Sequence, residues 1–160
     1  MKLKLTLLAL SGLLVFAGCK KDKDDDATPS NPPQNTNTKE LLVGKNWKLT
    51  GAKAFLGDSI DVYNNPLYAT YVDCYKDDII TYSEQGTYAL NDGDKTCSPA
   101  LQTSGTWELS ADQKTLFMDK GTESERTFNI TSITSTTLIA NTAFDTDFGP
   151  VQAKGTFTAQ

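Results

Sequence analysis

Gly105-Thr106-Trp107-Glu108-Leu109-Ser110, then Ala111-Asp112-Gln113-Lys114, then Thr115-Leu116-Phe117-Met118: this stretch decides the fold. Side chains of a strand point alternately to its two faces. Trp107 and Leu109 therefore share one face of the first run, and Leu116 and Met118 share one face of the second. The short segment between them is turn material. The whole predicts an antiparallel hairpin with Trp107, Leu109, Leu116 and Met118 toward a core.

The same grammar extends in both directions. Upstream, Ile79–Tyr82 and Thr87–Leu90 flank a Ser83-Glu84-Gln85-Gly86 turn, with Tyr88 and Leu90 alternating with polar neighbours. Downstream, Thr127–Ile133 pairs with Thr137–Thr142, and Val151–Phe157 supplies a last strand in which Val151, Ala153, Gly155 and Phe157 alternate. The first strand spans Asn46–Phe55. Trp47 and Leu49 share a face, the phase slips at Gly51, and Ala52 and Ala54 take over, which predicts a bulge. A loop with Asp58, Asn64 and Asn65 comes next. Pro66 suits the first turn of a short helix capped by Asn65, covering Leu67–Tyr75. No long stretch has a helical period. The expected fold is all-β: an eight-stranded antiparallel up-and-down barrel with one short helix, or a meander of the same strands, the barrel being favoured because closure removes exposed edges.

Gly44-Lys45-Asn46-Trp47 resembles the Gly-x-Trp opening of lipocalins, with one residue more between glycine and tryptophan. Trp47-Lys48-Leu49, Cys74-Tyr75-Lys76-Asp77-Asp78-Ile79, Gly86-Thr87-Tyr88, Cys97, Ser104 to Ser110 and Thr115-Leu116 resemble the lipocalin-like domain of lipid-anchored bacterial proteins. The resemblance covers roughly Leu41 to Ala159. It implies an eight-stranded lipocalin-like barrel, a tryptophan at its closed end and a cystine near the first hairpin. It says little about function, since fold analogy is a weak functional warrant.

The N-terminus carries a separate message. Lys2 and Lys4 precede an apolar run from Leu5 to Phe16, and Ala17 and Gly18 lead to Cys19. The run fits a signal core and is shorter than the roughly 20 residues of a spanning helix. Residues 1–18 are expected to be a lipoprotein signal peptide, with Cys19 the lipidated residue. An ordinary secretory signal is the competing reading, but it would leave a free thiol in an oxidising compartment. Residues 19–39 read as a tether. Asp22, Asp24, Asp25 and Asp26 are either solvated charge or a sequence resembling an acidic surface-sorting signal, and Pro29, Pro32 and Pro33 stiffen the rest of the tether. Residues 40–160 are expected to form the barrel domain, held by its lipid at the outer membrane, on the periplasmic face or the cell surface.

Composition narrows the chemistry. The 160-residue chain has a net charge of −5 and no histidine. An acidic chain without a basic stripe is a poor partner for nucleic acid. Without histidine the sequence lacks the commonest general base and metal ligand, and Ser-His-Asp and Cys-His sites are excluded. Beyond Cys19 the cysteines are Cys74 and Cys97. An even pair in an oxidising compartment is most simply a disulfide, and the redox-active alternative lacks CxxC spacing.

Asp73, Asp77 and Asp78 lie beside Cys74, and Asp92 and Asp94 lie near Cys97, so a cystine would gather these carboxylates on one rim. Calcium takes such oxygens, but no EF-hand spacing is present, and Asn91-Asp92-Gly93-Asp94 is also ordinary turn chemistry. Neither cofactor nor metal is assigned. Glycoside cleavage needs two carboxylates placed across a cleft, which the sequence does not show. Asp58-Ser59-Ile60 resembles a bacterial O-glycosylation motif of only three residues.

The candidate ligand-binding residues are aromatic: Trp47, Tyr88, Trp107 and Phe157 on inward faces, and Tyr68, Tyr71 and Tyr75 on a helix placed as a lid. Core packing is the competing reading for each. Ala52, Ala54, Ala140, Ala153 and Gly155 are small and are expected to leave space toward the open end. The sequence thus points to a monomeric, non-catalytic, lipid-anchored barrel that binds a small, partly apolar ligand. The alternative is a filled-barrel scaffold whose partner is a protein or a glycan.

Overall fold

A computed structural model describes residues 37–98, 100–146 and 149–160, with backbone alone at 145 and 146. The expected signal peptide, Cys19 and nearly all of the tether lie outside the described residues. The compact unit is Asn35–Gln160. Among the described residues, no helix is long and apolar enough to cross a membrane.

The strands are β1 (Asn46–Leu56), β2 (Asp58–Asp61), β3 (Ile79–Tyr82), β4 (Thr87–Asn91), β5 (Ser104–Leu109), β6 (Thr115–Met118), β7 (Arg126–Ile133), β8 (Thr137–Thr146) and β9 (Gly149–Ala159). All pairings are antiparallel. β1 and β3 to β9 succeed one another around the sheet, and β9 returns to pair with β1, closing an eight-stranded up-and-down barrel. β2 is an addition. Residues 46–48 of β1 pair with β3, and beyond them residues 53–56 pair with β2. The sequence placed a loop at β2, whose Asp58-Ser59-Ile60-Asp61 holds one apolar residue. Its strand geometry comes from the ladder with β1.

The β5–β6 hairpin forms as expected: Trp107 pairs with Met118 and Leu109 with Leu116. The slip at Gly51 is also real, because the register of β1 on β9 shifts between Leu49 and Gly51. Asn65 caps the short helix, its side chain accepting the Leu67 N–H, with Pro66 in the first turn. The helical segment runs from Pro66 to Tyr75, an α turn (α2, Ala69–Val72) between two 3-10 turns. β8 and β9 are longer than expected, β8 running on to Thr146 and β9 starting at Gly149.

A helix that the sequence pattern does not announce, α1 (Thr38–Leu42), plugs one end of the barrel. Asn37 caps it by accepting the Lys39 N–H. Leu42 is fully buried, and its carbonyl accepts the Trp47 indole N–H at 2.8 Å. A buried indole needs such a partner. Helix and tryptophan thus close this plugged end together. Leu42, Trp47, Tyr82, Tyr88, Trp107, Leu116, Met118 and Leu138 form the main core there. The Tyr82 and Trp107 rings meet edge to face with centroids 5.6 Å apart, and the Trp107 indole donates to the Ser83 carbonyl.

Gly105 has a structural cause. A Cβ there would overlap Asp119 Oδ1 and stand 2.7 Å from the Tyr88 ring. Asp119 is buried at positive φ and is held by the Tyr88 hydroxyl at 2.6 Å and the Thr106 N–H at 3.0 Å. Burial first, then the bond to Asp119, pushes the Tyr88 hydroxyl up to about 12.

Candidate functional site

β1 and β9 run from the plugged end to a far end built differently. Ala54, Val62, Val72 and Val151 form a second, smaller core, with Leu49, Ala52, Ile60, Tyr63 and Tyr68 packed against it. Tyr63 is fixed by its hydroxyl bond to the Leu49 carbonyl and by Lys76 above its ring. The Pro66–Tyr75 segment covers this end through Tyr68 and Val72 and turns its other side to water.

The exposed large apolar residues among those described are Phe55, Leu56, Leu67, Tyr71, Tyr75 and Phe144. All lie on far-end elements. Leu67 is 82% and Tyr71 74% exposed. Several such groups at one end mark a binding surface more often than scattered single residues do.

The seven ligand candidates divide between the two ends. Trp47, Tyr88 and Trp107 are buried in the main core, and Phe157 packs against it. Tyr68 is half-buried in the second core, while Tyr71 and Tyr75 are exposed. The cavity inside the main core is about 20 Å³, bounded by Trp47, Ile80, Leu116, Phe128, Leu138 and Phe157 among others. That is room for a water molecule and not for a ligand. At three of the five small residues the expected space is taken. Ala54 and Ala140 are packed, and the Phe157 ring fills the gap at Gly155, where a Cβ would meet it at 2.8 Å. A larger hollow of about 420 Å³ lies outside the plugged end, bordered by Asn37, Lys39, Glu84, Trp107 and Gln113. It is open and crossed by the exposed Lys39–Glu84 ion pair.

Cys74 and Cys97 are bonded, with Cα atoms 5.0 Å apart. The cystine ties the end of the helical segment to the loop after β4 and gathers the carboxylates, as the sequence suggested. Asp73 pairs with Lys76 at 2.7 Å. Asp77 accepts the Asp94 and Lys95 N–H groups. Burial opposes the charge on Asp77, but those donors outweigh it and hold its carboxyl below the usual range. Gly93 makes this packing possible, since a Cβ there would come within 2.5 Å of Asp77 Cγ. Asp78 behaves oppositely. Burial first, then the charges of Asp92 and Asp77, push it up to about 6.

A family model described as a lipocalin-like domain matches residues 42–140, more than half of the chain. The chain belongs to the lipocalin-like domain family. No curated protein sequence matches it. Among solved structures, this lipocalin-like chain is similar to bovine odorant-binding protein in two forms. A deswapped triple mutant is 18% identical, with 74% of this chain and 73% of that one covered and a TM-score of 0.42. A complex with a selenium-containing odorant is 17% identical, with 89% and 78% covered and a TM-score of 0.43.

Proposed function

We propose that this lipocalin-like protein is a non-catalytic binder, lipid-anchored at the outer membrane or cell surface, which takes a small, partly apolar ligand at the far end of its barrel. The observation that carries this reading is the contrast between the ends. The main core encloses only about 20 Å³, whereas Leu67, Tyr71, Tyr75, Phe55 and Phe144 stand exposed around the other end. A lumen site would need roughly 300 Å³. Tyr68, Tyr71 and Tyr75 remain the ligand candidates, with Leu67 added. The sequence has no histidine and no nucleophile motif to support catalysis. A second reading, a filled scaffold whose far end docks a protein or a glycan, is favoured by the same small cavity.

The test uses the expected mature chain, residues 19–160 with Cys19→Ala, which carries neither the apolar signal run nor the lipid and needs no detergent. N-phenyl-1-naphthylamine should bind at micromolar concentration with a rise in fluorescence. The double substitution Leu67→Ser and Tyr71→Ser should weaken binding about tenfold, equivalent to about 1.4 kcal/mol. Both residues are exposed, so the melting temperature should hold. Absence of probe binding, or binding indifferent to the double substitution, would defeat this reading in favour of the scaffold.

A further inference from the structure

Asp78 and Asp92 stand one step beyond the last pair of the β3–β4 ladder, Ile79 with Asn91. Ladder faces alternate, so these aspartates share the face of the Ile80–Leu90 and Tyr82–Tyr88 pairs. That face is the inward one, because Ile80, Tyr82 and Tyr88 belong to the main core. Asp78 is only 5% exposed, while Asp92 is half-buried, so the pair borders the interior on the side of the ladder away from the Tyr82–Tyr88 pair.

Asp78 Oδ1 and Asp92 Oδ1 are both buried without a hydrogen-bond partner, as is Asp77 Oδ1. None of the ion pairs among the described residues reaches Asp78 or Asp92. An ionised carboxylate only accepts hydrogen bonds, so two facing ones cannot satisfy each other. Like charges opposite on a ladder repel. The strand ends cannot simply part, because the 74–97 cystine and the bonds from Asp94 and Lys95 to Asp77 hold them together. The fold therefore fixes two carboxyl groups against each other, and the one donor within the pair is a proton held on Asp78, which leaves two unpaired acceptors once both are ionised.

We propose that the Asp78–Asp92 pair is the polar end of the far-end ligand site and takes a protonated amine, which makes the ligand a small amphiphilic ammonium compound. The proposal rests on the far-end reading above. An ammonium group brings several donors and a positive charge, and charge-assisted bonds of this kind are about twice as strong as neutral ones. Its alkyl body would lie against the apolar residues of the same end. A divalent metal fits less well. Calcium seeks six to eight oxygens, and among the described residues no group of three or more His, Cys, Asp and Glu side chains is arranged to hold a metal ion.

The test compares n-hexylammonium, hexan-1-ol and calcium chloride at pH 7.5, read by melting-temperature shift on the expected mature chain, residues 19–160 with Cys19→Ala. Hexylammonium should bind about tenfold tighter than hexanol, and Asp78→Asn or Asp92→Asn should abolish that preference. Each variant relieves the repulsion, so each should fold. Equal binding of amine and alcohol would overturn the amine inference and leave the far-end reading standing. Amine preference without alcohol binding would support the amine and remove the apolar reading. A calcium shift lost in the asparagine variants, without amine preference, would overturn the proposal in favour of a metal. No shift with any of the three probes would overturn both readings.

Discussion

Gly105 shows how one missing methyl group can organise a core. Asp119 and Tyr88 occupy the space a Cβ would need, and their bond is itself anchored by the Thr106 N–H. Gly105→Ala should therefore lower stability by about 2–4 kcal/mol, from overpacking together with a strained buried bond. Urea titration measures it, and a change within 0.5 kcal/mol would refute this account of the glycine. Asp78 gives a pH dependence whose sign is unusual for a carboxylate. Its folded value, about 6, lies above the unfolded 3.8, so the folded state holds the proton more tightly. Its contribution is most favourable below about pH 4, declines as pH rises toward 6 and stays lost above that. Burial is the first cause, and the charges of Asp92 and Asp77 add to it. Asp78→Asn should raise the melting temperature at pH 7 and flatten its slope between pH 4 and 7, and an unchanged slope would disprove the assignment.

Elements were legible in the sequence where pattern and turn chemistry agreed. The β5–β6 hairpin came from period-two alternation, the bulge in β1 from the phase slip at Gly51, and the helical segment from Asn65-Pro66. Elements decided by tertiary contact were not legible. Thr38-Lys39-Glu40-Leu41-Leu42 is too short to be helical alone, and it forms because Leu42 and Trp47 complete the plug. Asp119 at positive φ had no signal beyond the Lys120-Gly121 turn next to it. The inward carboxyl pair could have been found by extending the parity of Tyr82 and Ile80 to Asp78, and of Tyr88 and Leu90 to Asp92. The filled lumen could not, because which ring swings into the gap at Gly155 is a packing outcome. The cystine acts at this scale too. It closes a loop of 23 residues in sequence separation, and Cys97→Ala should cost about 3 kcal/mol in the chain-entropy model. Thermal melts with and without reductant check this, and an unaffected melting temperature would contradict it.

At the scale of the molecule, the barrel has one sealed end and one apolar, acidic end. Anchoring is tested in cells. Replacing residues 1–19 by an ordinary cleavable secretory signal should move the protein from the membrane fraction to the soluble one, since the acyl chains are the apolar anchor the sequence leads one to expect in the mature chain. A variant that still sediments with membranes after a salt wash would exclude lipidation as the tie.

The backbone N–H of Gln160 donates to the carbonyl of Asn46, and Ala159 pairs with Trp47. The C-terminus and the start of β1 are thus clasped at the same pole, beside the plug. Cargo joined after Gln160 would emerge from that pole and leave the opposite mouth unobstructed.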